Sequence, residues 1–230
     1  MLSKIASFFP SRQALKQRLS EAVFLGLLCL FCHCLTVYRM HHTQTSAFLF
    51  LSWNLFLAFV PWALSTLLVL IPKLQQSNWI LSIFLVVWMV FFPNAPYILT
   101  DLIHLYIHPD VPTWFELLYI LSYGWAGLLF GFLSLWDMES ILQKRLNLFW
   151  TTASVMLYMY LASFGISIGR FLRWNSWDFV AKPVKLLSDI SELLLHPIEH
   201  PDAWGMTILM GTFLNILYLS FRLIRARRET

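Results

Sequence analysis

The sequence predicts an all-α, polytopic transmembrane helix bundle of about six spans, and three observations carry that reading. Hydrophobic residues fill 59% of the 230 positions, charged residues only 12%, and the mean hydropathy is +0.67, well outside the composition of soluble domains. Six apolar stretches, 22–38, 47–71, 79–92, 114–136, 148–168 and 203–221, cross or nearly cross a hydrocarbon core about 30 Å thick at about 1.5 Å of rise per residue. Lys and Arg are distributed unevenly around those stretches. With the N-terminus and C-terminus both cytoplasmic, inside segments hold Lys4, Arg12, Lys16, Arg18, Lys73, Lys144, Arg145, Arg222, Arg225, Arg227 and Arg228, 11 of the 16, as short cytoplasmic segments should. Arg39, Arg170, Arg173, Lys182 and Lys185 stand outside. The remaining polar sequence is short and scattered, so the chain reads as one membrane domain: a basic segment at 1–20, a bundle over 22–221 and a basic tail at 222–230.

Taken in order, residues 1–20 place Phe8, Phe9, Leu15 and Leu19 among basic groups, the pattern of a helix lying on the membrane surface. The first span holds Cys29, Cys32 and Cys34 around His33. Free cysteines pack as small apolar groups inside a helix, so neither a metal site nor a disulfide framework is read there. A polar loop over 39–46 contains His41 and His42. The second span carries Asn54 about two turns from its start, either in a site or as an interhelical hydrogen bond.

The third span is too short. Residues 79–92 cover roughly 21 Å, after which WMVFFPNAPYILTDLIHL brings Pro93, Asn94 and Pro96 to membrane depth. Proline removes a backbone donor and clashes with the preceding turn, so the helix breaks here, and non-helical backbone at that depth must be satisfied by protein or a water-filled cavity. Beyond the break, Tyr97, Asp101, His104 and His108 recur at the spacing of one α-helical face. The segment 97–108 is expected as a re-entrant or interfacial helix with Asp101 and His104 as candidate catalytic residues.

The fourth span contains Gly124, Gly127 and Gly131, whose spacing suits close helix packing. At its end, Asp137, Glu139, Lys144 and Arg145 read as a solvated charge mixture. The fifth span leads into SFGISIGRFLRWNSWDF, with Ser163, Ser167 and Arg170 on one stripe and Arg173, Asn175 and Asp178 following. Residues 182–195 place Val184, Leu187, Ile190, Ser191 and Leu194 on one side, an outer interfacial amphipathic helix. His196, Glu199 and His200 spell H-x-x-E-H, but Pro197 and Pro201 interrupt the helix that a zinc protease needs, and no metal site is assigned.

At FFPNAPYILTDLIHL and GRFLRWNSWD the sequence resembles a family of multi-pass membrane proteins catalogued as domain of unknown function 1361. The resemblance extends from about Trp53 to the last span and implies a bacterial cytoplasmic membrane location. It implies no reaction, so no catalytic residue is carried over.

Three classes of function follow. In the first, a polar site open to the outer leaflet binds or processes a lipid or other amphiphilic anionic ligand. There Asp101 and His104 act as acid/base groups or as metal ligands; Asn54, Asn94, Tyr97, Arg170, Arg173, Asn175 and Asp178 bind, the arginines matching an anionic headgroup. Ionisable residues inside membranes are costly and usually functional. An isolated buried charge needs a partner, so Asp101, His104 and Arg170 are expected as one cluster. In the second class the chain is a non-catalytic membrane subunit or scaffold whose polar cluster locks the helices. The third, transport, fits less well, because the polar groups gather at one face and no inverted repeat is seen. No cofactor is specified, the basic ends fit anionic lipid better than nucleic acid, and membrane lipid is the one partner implied.

Overall fold

The computed structural model describes residues 12–105 and 111–226 and is helical throughout, with no strand among the described residues. Residues 1–11, 106–110 and 227–230 fall outside the described part, and with them Phe8, Phe9, His108 and the start of the outer loop. In order come α1 (Arg12–Thr43), α2 (Leu49–Leu70), α3 (Pro72–Gln76), α4 (Asn78–Phe91), α5 (Asn94–Tyr97), a 3₁₀ helix (Ile98–His104), α6 (Thr113–Leu142), α7 (Leu148–Phe171), α8 (Asp178–Ala181), α9 (Pro183–Leu195) and α10 (Pro201–Ala226). Six helices are long and apolar enough to cross a membrane, the third formed by the run Asn78–His104. The protein is a multi-pass membrane protein.

The chain forms two compact units, Met1–Lys144 and Arg145–Thr230. In the first, α6 is the central element. It packs against α1, α2, α5 and the 3₁₀ helix, and its buried residues run nearly its whole length. A helix apolar and buried on most sides belongs in the middle of a bundle. The core around it includes Leu25, Leu51, Ala58, Ala95, Ile98, Tyr119, Ile120 and Ala126.

Residues 12–20 do not form a separate surface helix. They are the opening turns of α1, which continues unbroken for 32 residues, about 48 Å. The reason is Arg18, buried beside Glu21 and bonded to Asp137 of α6. Asp137 and Glu139 are therefore buried, not solvated. Asp137 also accepts from the Ser65 hydroxyl of α2 at 2.6 Å.

The glycines of α6 lie where the broken third span crosses it. A Cβ at Gly127 would stand 2.5 Å from the Ala95 carbonyl oxygen, one at Gly131 3.0 Å from the Ala95 Cβ, and one at Gly124 2.9 Å from the Leu99 side chain. Small residues permit this approach, and at Gly127 the obstacle is backbone that cannot rotate away.

In the second unit α7 and α10 pack as a pair. Gly211 of α10 faces the Tyr160 ring, where a Cβ would come within 2.4 Å. The Asn215 amide donates to the Met156 carbonyl at 3.3 Å and Ser167 meets Thr207 at 3.1 Å. Helix α9 packs through Leu186, Ile190 and Leu193 onto Ile168 and Ala203. Of the side expected to be apolar, Val184, Leu187 and Leu194 remain exposed. α9 thus has one apolar stripe on protein and a second facing outward, which suits an interfacial helix.

Gly127→Ala is expected to lower stability by about 1–3 kcal/mol, the usual cost of overpacking. Gly26→Ala and Gly205→Ala, where an added Cβ meets nothing within 4 Å, should leave the midpoint unchanged or slightly raised. Thermal unfolding of the purified protein in detergent compares the three.

Candidate functional site

The break in the third span is a change of hydrogen-bonding pattern within a chain that stays right-handed. Phe92, Pro93, Tyr97, Ile98 and Leu105 all keep helical dihedrals. Pro93 and Pro96 have no N–H to give, so the α ladder fails and shorter bonds replace it: Ala95 N–H donates to the Phe92 carbonyl and Leu105 N–H to Leu102. Side chains satisfy carbonyls that the ladder leaves. The Asn94 amide donates to Phe91 O at 2.8 Å, and the Thr100 hydroxyl to Tyr97 O at 2.6 Å. Asn94 is thus a helix-ending group.

The 3₁₀ helix then runs seven residues, longer than the usual three or four. Its period of three changes which residues share a face. Ile98, Asp101 and His104 line up, and Tyr97 turns roughly a third of a turn away from Asp101. The expected α-helical stripe of Tyr97 with Asp101 is not formed, because the segment after the prolines winds with a period of three.

Asp101 is 1% exposed. The Asn54 amide of α2 donates to its Oδ2 at 3.2 Å, so the two side chains are brought together. The His104 ring meets Phe50 edge-on with centroids 5.6 Å apart. Phe50 stacks on Phe48 at 5.6 Å, and the Arg39 guanidinium lies 4.0 Å from the Phe48 ring centre.

That contact leads to groups the sequence reading missed. Arg39 is not a loop charge: α1 extends to Thr43, and Arg39 is 1% exposed. Its Nε and Nη2 both donate to Glu116 Oε1 of α6, at 2.9 and 2.7 Å. Next to it on α1, Thr36 Oγ1 meets Tyr123 OH at 2.6 Å and Tyr119 OH at 3.2 Å, and Ser52 of α2 meets Tyr123 OH at 2.9 Å. Ser52 and Tyr123 also line a cleft of about 300 Å³ with Cys29, His33, Phe56 and Phe59. Polar groups therefore occupy both ends of the first unit, not one. One signal was present in the sequence: Arg18 and Arg39 are 21 residues apart, and so are Glu116 and Asp137.

The other candidates lie in the second unit. Arg170 is half-buried on the last turns of α7, and Arg173, exposed, ends that helix with a φ of 58°, a left-handed conformation in which glycine is usual. Asp178 Oδ2 accepts from the Asn175 backbone N–H at 2.9 Å, while Asp178 N–H donates back to the Asn175 carbonyl. That reciprocal pair closes the turn before α8. The Trp174 indole donates to Asp189 of α9 at 2.8 Å. Asp101 and Arg170 belong to different units. His196 and Glu199 sit in the exposed turn between α9 and α10, 3.8 Å apart. No group of three or more metal-ligating side chains occurs among the described residues.

A family model described as protein of unknown function (DUF1361) matches residues 53–217. The chain belongs to the DUF1361 family. No curated protein and no solved structure matches it. The DUF1361 region takes in the broken third span, Asn54, Glu116, Asp137 and the Arg170–Asp178 segment, and it begins after Arg18 and Arg39.

Removing one partner of a buried ion pair strands the other charge at a cost of about 3–5 kcal/mol, whereas replacing both by apolar groups is often neutral. Glu116→Ala or Arg39→Ala is therefore expected to be severely destabilising. The double change Arg39→Met with Glu116→Leu should recover most of that loss in a denaturation series.

Proposed function

We propose that this DUF1361 protein uses the Asp101 region to bind or process a lipid or other amphiphilic anionic ligand. The observation that carries the reading is a carboxyl buried in the break of a membrane span, held by the amide of a second span. Burying a carboxyl costs free energy that packing alone does not return, and ionisable groups at this depth mark functional sites by default. In this reading His104 is the acid or base beside Asp101, and Asn54 orients the carboxyl. Asn94 and Tyr97 shape the opening. In the second unit, taken by itself, Arg170 and Arg173, with Asn175 and Asp178 setting their turn, offer a contact for an anionic headgroup. No reaction is assigned. The same reading has the protein in the bacterial cytoplasmic membrane with both termini inside, and the 11-to-5 split of Lys and Arg supports that orientation.

A second reading is a non-catalytic subunit whose polar groups lock the helices. The buried pairs Arg39–Glu116 and Arg18–Asp137 favour it, since they join α1 to α6 with no ligand required.

Asp101→Asn separates the two. It keeps the shape and removes the charge, so a binding or catalytic site loses ligand retention, measured by mass spectrometry of the purified protein, while the unfolding midpoint moves little. A structural lock shows the reverse: a lower midpoint and unchanged bound lipid. Orientation is tested in intact cells, where Asp110→Cys should react with an impermeant thiol reagent and Glu229→Cys should not.

A further inference from the structure

The α1–α6 pair carries a second candidate binding feature, independent of Asp101. Glu116 Oε1 takes both Nε and Nη2 of Arg39, which leaves Arg39 Nη1 buried with no hydrogen-bond partner among the described residues. An unsatisfied buried donor costs about 1–3 kcal/mol, more when it is charged. Arg39 lines a cavity of about 160 Å³ with Tyr38, His42, Val111, Trp114 and Phe115. Trp114 and Phe115 belong to the first turn of α6, a helix of 30 residues; the Phe115 and Glu116 N–H groups donate to the Pro112 carbonyl, and the Thr113 and Trp114 N–H groups with the helix dipole favour negative charge there.

Depth identifies the ligand chemistry. Arg18–Asp137 and Arg39–Glu116 are the two ends of one helix pair, separated by 21 residues on each strand of the pair. That is about 31 Å of helix, the thickness of the hydrocarbon core. Arg39 therefore sits at a headgroup boundary, where exposed Tyr38 and Trp114 form the expected aromatic belt. The acceptor dense at that level is lipid phosphate, and a guanidinium edge matches phosphate oxygens.

We propose that the cavity between the end of α1 and the start of α6 is a phosphate site, held by Arg39 Nη1, the His42 ring and the Thr113 and Trp114 N–H groups of α6. Glu116 fixes the guanidinium so that Nη1 faces the ligand. The occupant is the phosphate of a membrane lipid headgroup.

The full-length protein, purified in detergent and stripped of lipid, is titrated with dihexanoyl phosphatidylglycerol, with phosphate-free dihexanoylglycerol and with inorganic phosphate while its unfolding midpoint is followed. The phospholipid should raise the midpoint by about 5 °C near saturation, and the diacylglycerol should not. Two variants locate the effect. Arg39→Lys keeps a cation for Glu116 and loses the second guanidinium edge; Val111→Phe fills the cavity and leaves the ion pair untouched. Both should lose the shift, and if Arg39→Lys does not fold, Val111→Phe decides. A shift with inorganic phosphate alone, lost in the same variants, supports the site and assigns it to free phosphate. No shift in the unmodified protein with either the phospholipid or inorganic phosphate, or an equal shift in the variants, overturns the proposal. Loss of the Asp101 function would leave this result unchanged, so the two readings fail separately.

Discussion

The first unit depends on the antiparallel pairing of α1 with α6, held at both ends by Arg to carboxylate contacts. Ion pairs buried in low dielectric gain little net stability over apolar packing, because desolvation offsets most of the Coulomb attraction. Their effect here is on register. A slip of α1 by one turn would strand two guanidinium groups and two carboxylates at once, in surroundings that cannot hydrate them. Between the two pairs, Thr36 of α1 meets Tyr119 and Tyr123 of α6. The two ion pairs and the Thr36 contacts one turn from Arg39 thus specify one alignment.

With α6 fixed, the broken third span has one place to lie. The glycine face of α6 admits the Ala95 carbonyl of α5 and the Leu99 side chain of the 3₁₀ helix within contact distance. Ala95, Ile98 and Asp101 become buried as a consequence. Asp101 then comes within reach of Asn54 because α2 also packs on α6. The site is a product of three helices meeting a fourth, each tolerating the others through small or polar side chains at the crossing.

The second unit is built by a different device. α7 and α10 meet through Gly211 on Tyr160 and through hydroxyl and amide bonds such as Ser167 with Thr207. In a membrane, where apolar burial against lipid supplies no drive, close packing and such hydrogen bonds are what hold helices together. α9 adds a single apolar stripe to that pair and leaves its other stripe outward.

Much of this was legible in the sequence. Hydropathy over windows of about twenty residues located all six spans, because only a helix satisfies its own backbone in hydrocarbon. The break followed from Pro93 and Pro96, whose missing N–H groups are a local fact of the chain. That Asn54 and Asp101 need polar partners was readable from cost, since neither belongs in an apolar span alone. What the sequence left open were relations between distant residues. Whether Asp137 is solvated or buried depends on Arg18, which is 119 residues away, and Arg39 looked like a loop charge until Glu116 was placed beside it. The face that Asp101 shares was also undecided, since a period of three rather than 3.6 is seen only in the folded segment after the prolines. Local chemistry determined the helices and their break; tertiary packing alone decided which charges are paired, because pairing depends on distances that the order of residues does not contain.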